Sequence, residues 1–317
     1  MTSITTETGL PASTPDPTDL TTMRADTRDD DPDGAHAHLS LDGEVTLAYR
    51  APERSSGPSL VLLHGLSGAS SSWAPVIDRV GGNWRTWALD FRGHGRSDHT
   101  PGGYRLDDYR ADAVGLLETI GEPAVVVGHS LGSIVAATLA QEHHPLVAGV
   151  FLEDPPLYLV EPAVFAGTGL ARVFRLLTDH VERLQAERAP IAAYRKLLAA
   201  APHPAGDTQG DHMLPDALWS RAEALAQMDT DAITATLDGR TFIGYQADRP
   251  IACPGVVVRA DPAYDAGFLP SHQARLHATS PHIDVVDMPG SGHNIRGDRA
   301  ARTRYLDVLD DFLSGLT

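Results

Sequence analysis

A serine flanked by glycines opens the search for chemistry: Gly128-His129-Ser130-Leu131-Gly132 follows the apolar run Ala124-Val125-Val126-Val127 and precedes a stretch of helical spacing. A turn from buried strand to helix is too sharp for side chains on either side of the serine, and Gly128 and Gly132 remove them. Ser130 then stands at the tip of the turn, with the free N–H groups of a new helix beside it. A serine hydroxyl is a weak nucleophile until a base takes its proton. Histidine is suited to that task near neutral pH.

Of the 15 histidines, His293 has the fitting context, the glycine-rich segment Pro289-Gly290-Ser291-Gly292-His293-Asn294 just past the last apolar run. His64, His94 and His129 lie in other loops and are assigned to loop hydrogen bonding. A carboxylate must fix the imidazole tautomer and stabilise the imidazolium. Two positions compete for this role: Asp154, in Glu153-Asp154-Pro155-Pro156, and Asp261, in Arg259-Ala260-Asp261-Pro262, with Glu153 and Asp265 as weaker neighbours. The oxyanion of an attacked carbonyl needs backbone donors. Leu131, next to the serine, and Leu66, in His64-Gly65-Leu66-Ser67-Gly68, are expected to supply their N–H groups.

These side chains need a scaffold. Leu39 to Leu41 and Val45 to Tyr49 alternate about Asp42-Gly43 and read as a hairpin. Apolar strands are expected at 59–63, 87–89, 124–127, 148–152, 255–258 and 283–286, with helices near Trp73, over 106–120, after Ser130 and over 303–313. Strands alternating with helices give an α/β fold with a mostly parallel sheet covered on both faces. Between residues 155 and 249 the pattern is helical, with amphipathic stretches over 173–186 and 191–200. The chain therefore divides into a disordered acidic tail at 1–37, a core at 38–154 and 250–317, and a helical cap at 155–249 over the carboxyl ends of the strands, where open α/β sheets bind ligands. Leu157, Tyr158, Leu159, Phe165, Met213, Leu214, Trp219 and Phe242 are candidates to line an apolar pocket in that cap.

Composition narrows the partners. A hydrophobic share of 42% supports a substantial core, and the net charge of −17 disfavours nucleic acid and anionic membranes. No apolar run spans a bilayer and the start lacks the features of a signal peptide, so a cytoplasmic location is expected. Cys253 is the only cysteine, which excludes an internal disulfide, and is read as a small buried residue; Lys196 is the only lysine. No metal or cofactor motif stands out, so neither is expected. A homodimer is the one protein assembly left open.

Taken in order, His64-Gly65 with Trp73 downstream, Asp90-x-Arg92-Gly93-x-Gly95-x-Ser97, the turn at Ser130 and Gly292-His293 resemble the α/β-hydrolase superfamily over 38–154 and 250–317. The resemblance implies Ser130 as nucleophile, His293 as base and the N–H groups of Leu66 and Leu131 as oxyanion hole. Many members carry the acid in a Gly-x-x-Asp pattern after the strand near 255–260; here that position falls on Ala263. Haloalkane dehalogenases and zearalenone-type lactonases take it from the preceding strand, which aligns with Asp154, and Asp154 is the choice made. The resemblance implies a cofactor-free serine hydrolase that cleaves a carboxylic ester or lactone through an acyl-enzyme, a zearalenone-type macrolactone among the candidates, with a small neutral and largely apolar substrate. Carbon–carbon bond hydrolysis, perhydrolysis and a non-enzymatic small-ligand receptor are the alternatives.

Overall fold

The computed structural model describes residues 36–53 and 56–316. The tail expected at 1–37 lies outside them up to residue 35, while His36 and Ala37 already belong to the first strand. Among the described residues eight strands run in chain order as β1 (His36–Leu41), β2 (Val45–Arg50), β3 (Ser59–Leu63), β4 (Arg85–Leu89), β5 (Ala124–His129), β6 (Val147–Glu153), β7 (Gly255–Ala260) and β8 (Asp284–Met288). They form one sheet in the order β1-β2-β4-β3-β5-β6-β7-β8. The hairpin β1–β2 and its pairing with β4 are antiparallel, and every later pairing is parallel. β3 and β5 are buried at every position, as continuous apolar runs in a doubly covered sheet should be.

Helices α1 (Ala74–Val80), α2 (Leu106–Ile120) and α3 (Leu131–Gln141) connect the first strands. Six more lie between β6 and β7: α4 (Pro162–Phe165), α5 (Gly169–Ala186), α6 (Ile191–Ala200), α7 (Gln209–His212), α8 (Pro215–Gln227) and α9 (Asp231–Leu237). The core closes with α10 (Pro270–Thr279) and α11 (Arg302–Ser314). Among the described residues no helix is long and apolar enough to cross a membrane. Cys253 is half-buried rather than buried, because it sits in the connection before β7; what burial it has pushes its thiol up to about 11.

The β5-to-α3 turn is held by close backbone contact. A Cβ on Gly132 would lie 2.1 Å from the Leu63 carbonyl oxygen, and one on Gly128 would lie 2.4 Å from that of Gly132. Loops at the same edge are pinned by buried polar groups. Asp90 accepts from the N–H of Ser70 at 2.6 Å and of Arg96 at 3.1 Å, and Arg92 meets the buried Asp112 through Nε at 2.8 Å and Nη2 at 2.6 Å. The Asp90-to-Ser97 motif is thus a structural clasp. His64 donates from Nδ1 to the Gly65 carbonyl (2.8 Å) and accepts the Phe91 N–H at Nε2 (3.1 Å). His94 likewise donates to the Arg92 carbonyl at 3.0 Å and accepts from Ser67 at 3.4 Å. Each imidazole is committed to one neutral tautomer, and burial drives both pKa values down, that of His94 to about 4.

Two outcomes follow. Gly132→Ala should lose at least about 3 kcal/mol in denaturant unfolding, since backbone must move to admit the methyl group; Gly82→Ala, where nothing lies within 4 Å of the new Cβ, should stay within about 0.5 kcal/mol of wild type. The histidines set a pH dependence. Their folded pKa values lie below the ordinary 6.5, so the unfolded chain binds more protons between the two. Their contribution is complete above pH 6.5 and declines as pH falls below it, for His94 as far as about 4, by up to about 1.4 kcal/mol per pH unit for each group. Unfolding curves at pH 7.5, 6 and 5 should show this slope, and His94→Gln should flatten it.

Candidate active site

Ser130 occupies the turn with φ +51° and ψ −112°, a region an L-residue enters only under constraint. Its N–H is held by the Glu153 carbonyl at 3.1 Å. From this position Oγ lies 2.9 Å from His293 Nε2, and His293 Nδ1 lies 2.6 Å from Asp154 Oδ2. The carboxylate only accepts, so Nδ1 carries the proton and the Nε2 lone pair faces the serine. The imidazole remains partly open to solvent, while Asp154 is fully buried.

Asp154 terminates β6 in a left-handed conformation, φ +41°. Besides His293 it accepts three backbone N–H groups: Gly267 at 2.6 Å on Oδ2, with Phe268 at 3.1 Å and Ala260 at 3.2 Å on Oδ1. The rival Asp261 is not brought to His293. Its oxygens take the N–H groups of Ala263 at 3.0 Å and Gly290 at 2.8 Å, and these bonds hold its carboxyl below the usual range. The other neighbours also diverge. Asp265 lines the cavity rather than touching the imidazole. Glu153 is buried against Arg296, which also bonds Ser72 and lies 3.8 Å over the Trp73 ring.

The remaining site residues converge from two more loops. Leu66 and Gly65 line the cavity with Ser130, and a Cβ at Gly65 would approach His129 Nδ1 to 2.6 Å. Leu131 is the first residue of α3. Among the described residues neither the Leu66 nor the Leu131 N–H is bonded to a backbone carbonyl. His129 donates from Nε2 to the His293 carbonyl at 3.0 Å. Burial, then Arg296, the His293 ring and Arg221, drives its pKa well below the ordinary value, so it stays neutral and steadies the His293 loop.

The cavity in front of Ser130 holds about 130 Å³ and is roofed by α5, the 203–213 segment and α8. This is below the span of about 300–1,000 Å³ usual for ligand pockets. The residues that line it differ from those expected of the insertion. Of the eight residues put forward, only Met213 lines it. Leu157 and Tyr158 face a separate, open groove of about 450 Å³ beside Asp248 and Arg275, which contains no part of the serine–histidine–aspartate chain. Leu159 and Phe165 are buried in packing, Leu214 and Phe242 pack half-buried against the core, and Trp219 is 44% exposed, with Arg195 over its ring. In their place stand Leu170, Phe174, His203, Ser220 and Arg221. Sequence reading passed over Arg221; the signal available was its spacing of four from Ala217 along α8, with which it lines the cavity.

His203, Asp207 and His212 form a further cluster, with ligand atoms within 4.8 Å of one another. The two imidazoles stack at 3.5 Å and 14°, so their ring lone pairs run nearly parallel rather than converging, and His203 Nδ1 already accepts the Ala205 N–H at 3.2 Å. This arrangement suits a hydrogen-bonded brace more than a metal centre, whose ligand lone pairs must meet at one point.

Comparison with known proteins agrees with the geometry. The family model described as alpha/beta hydrolase family matches residues 60–304. A 2-(acetamidomethylene)succinate hydrolase of Mesorhizobium japonicum is 36% identical over 265 residues, covering 80% of this chain and 87% of that protein. The crystal structure of an E-2-(acetamidomethylene)succinate hydrolase superposes with a TM-score of 0.62 at 25% identity, over 88% of this chain and 99% of that one. An enol-lactonase from Burkholderia xenovorans shares the fold, with a TM-score of 0.66 at 19% identity over 87% and 99% of the two chains. The order of strands, the serine turn after β5 and the match along 60–304 together place the chain in the alpha/beta hydrolase family.

Proposed function

We propose that this protein is a serine hydrolase that cleaves a carboxylic ester or lactone through an acyl-enzyme, with Ser130, His293 and Asp154 as its catalytic residues. The observation that carries the reading is the unbroken hydrogen-bonded chain from Ser130 Oγ through His293 to Asp154. The relative from Mesorhizobium japonicum is named as a hydrolase, and it is hydrolysis, not the bond cleaved, that this likeness supports.

In the first half-reaction Ser130 Oγ bonds to the substrate carbonyl carbon as its proton passes to His293 Nε2. Charge on the former carbonyl oxygen is received by the N–H groups of Leu66 and Leu131, and the imidazolium is stabilised by Asp154. Collapse breaks the carbon–oxygen bond, and the leaving alkoxide takes the proton from Nε2. A water then gives its proton to Nε2 and its oxygen to the acyl carbon, and Ser130 departs with the returned proton. In a lactone the alkoxide stays attached to the acyl chain, so one ring-opened acid leaves. The helices between β6 and β7 act as the cap that limits what reaches Ser130.

Purified protein assayed on small alkyl esters, a lactone panel and a vinylogous diketone should turn over the first two classes; turnover of the diketone alone would replace this reading with carbon–carbon hydrolysis. Ser130→Ala should lower kcat on the order of 10⁵-fold or more without shifting Tm. Asp154→Asn should cost on the order of 10³–10⁴-fold through the wrong imidazole tautomer, whereas Asp261→Asn should keep kcat within about threefold. The reverse ranking of the two aspartates would overturn the acid assignment.

A further inference from the structure

One cation in the cavity wall has no counterion. Arg221 projects from α8 into the space in front of Ser130, and among the described residues its guanidinium enters no hydrogen bond or ion pair. The other enclosed arginines are matched: Arg296 with Glu153, Arg92 with Asp112 and Arg259 with Asp287. An arginine cannot shed its charge, and this one, half-buried and unpaired, presents it to the cavity, where an incoming anion can meet it. Burial pulls its pKa down and no carboxylate opposes the effect.

Arg296 and Arg221 are the cations that act on His129, next to the nucleophile. Asp207, Asp298 and Asp265 are anions that act on His203, another lining residue. Asp298 is already occupied by the N–H groups of Gly292 and Ala300. A negative group entering the cavity meets in Arg221 a cation that no carboxylate engages. The volume of about 130 Å³ leaves room for only a few carbon and oxygen atoms beyond the reacting carbonyl. An unpaired cation in the wall favours a substrate that carries negative charge over the neutral one expected from the sequence.

We propose that the substrate is a small carboxylate-bearing ester or lactone, and that Arg221 receives its carboxylate while Ser130 attacks the second, esterified carbonyl. This rests on the serine-hydrolase reading above. A guanidinium offers two parallel N–H donors to a carboxylate, which fixes orientation as well as charge. Arg221 would therefore select among acyl groups rather than take part in the proton transfers.

The test compares monomethyl succinate with dimethyl succinate, which differ only in whether the distal carboxyl is free. Wild type should hydrolyse the monoester with at least tenfold higher kcat/KM. Arg221→Gln should lower that value about 30- to 100-fold, mostly through KM, and change the diester less than threefold, so that the preference disappears. Arg221→Lys should retain part of it. A wild-type preference for the diester, or an equal loss on both esters, would overturn the proposal. Calorimetry separates this from failure of the hydrolase reading and needs no variant to fold. Succinate should bind wild type and Ser130→Ala at least tenfold more tightly than succinamide, and Arg221→Gln should abolish that difference. If no ester is turned over yet this binding pattern holds, the carboxylate receptor stands and the hydrolytic reading falls; equal binding of succinate and succinamide sinks the receptor whatever the enzyme hydrolyses.

Discussion

Four donors meet on one buried carboxylate, and the rest of the site is arranged around that meeting. Asp154 gathers the N–H groups of Ala260, Gly267 and Phe268 and the Nδ1 of His293. These come from the end of β7, the loop that follows it and the loop after β8. A buried anion with fewer donors would be expensive; with four, it orders three chain segments that share no secondary structure. Hydrogen bonds to an ionised acceptor are shorter and stronger than neutral ones, and the distances to Gly267 and His293, both 2.6 Å, lie at the short end. The crowding leaves no room for a larger residue at 267, where a Cβ would fall 2.7 Å from the Asp154 carbonyl oxygen.

The serine is positioned by exclusion rather than attraction. Backbone at Gly132 packs onto the carbonyls of Leu63 and His64, so the helix after the turn starts against the end of β3. That contact drives Ser130 into its positive-φ conformation and aims Oγ at Nε2. Strain of this kind, of order 1–3 kcal/mol, persists only where the surroundings over-determine it. Here they do: the Ser130 N–H bonds the Glu153 carbonyl, and the Ser133 hydroxyl bonds that of Gly128.

This division explains what the sequence discloses. Gly128 and Gly132 announce the turn because steric exclusion leaves a compositional mark, and α2 and α6 have the bounds that their apolar spacing predicts. The choice between Asp154 and Asp261 leaves no such mark. Both follow strands ending at one edge of the sheet, with Glu153 beside Val258 in the register, and the decision rests on which loop amides turn inward. Hydropathy also misjudges the insertion. In α8, Leu218, Ala222 and Leu225 pack into the core, Trp219 points out and bonds Glu223, and Ala217, Ser220 and Arg221 face the cavity. Periodicity separates these faces, but it cannot say that the polar one closes over a nucleophile instead of meeting water.

The two acids at the end of β6 divide the labour of holding the histidine loop. Neighbouring strand positions point to opposite faces, so Glu153 and Asp154 reach different parts of the segment after β8. Asp154 takes the His293 side chain, and Glu153 takes Arg296, three residues further on, through both its backbone N–H and its guanidinium. His129 adds a third hold on the His293 carbonyl. A glycine-rich loop would otherwise sample many conformations and present the imidazole only part of the time. Fastened at the ring, at the carbonyl and one helical turn beyond, it keeps Nε2 at hydrogen-bonding distance from Ser130 before any substrate arrives. The ordering free energy is met during folding, by an ion pair, a buried carboxylate and the buried imidazole of His129, rather than at each turnover.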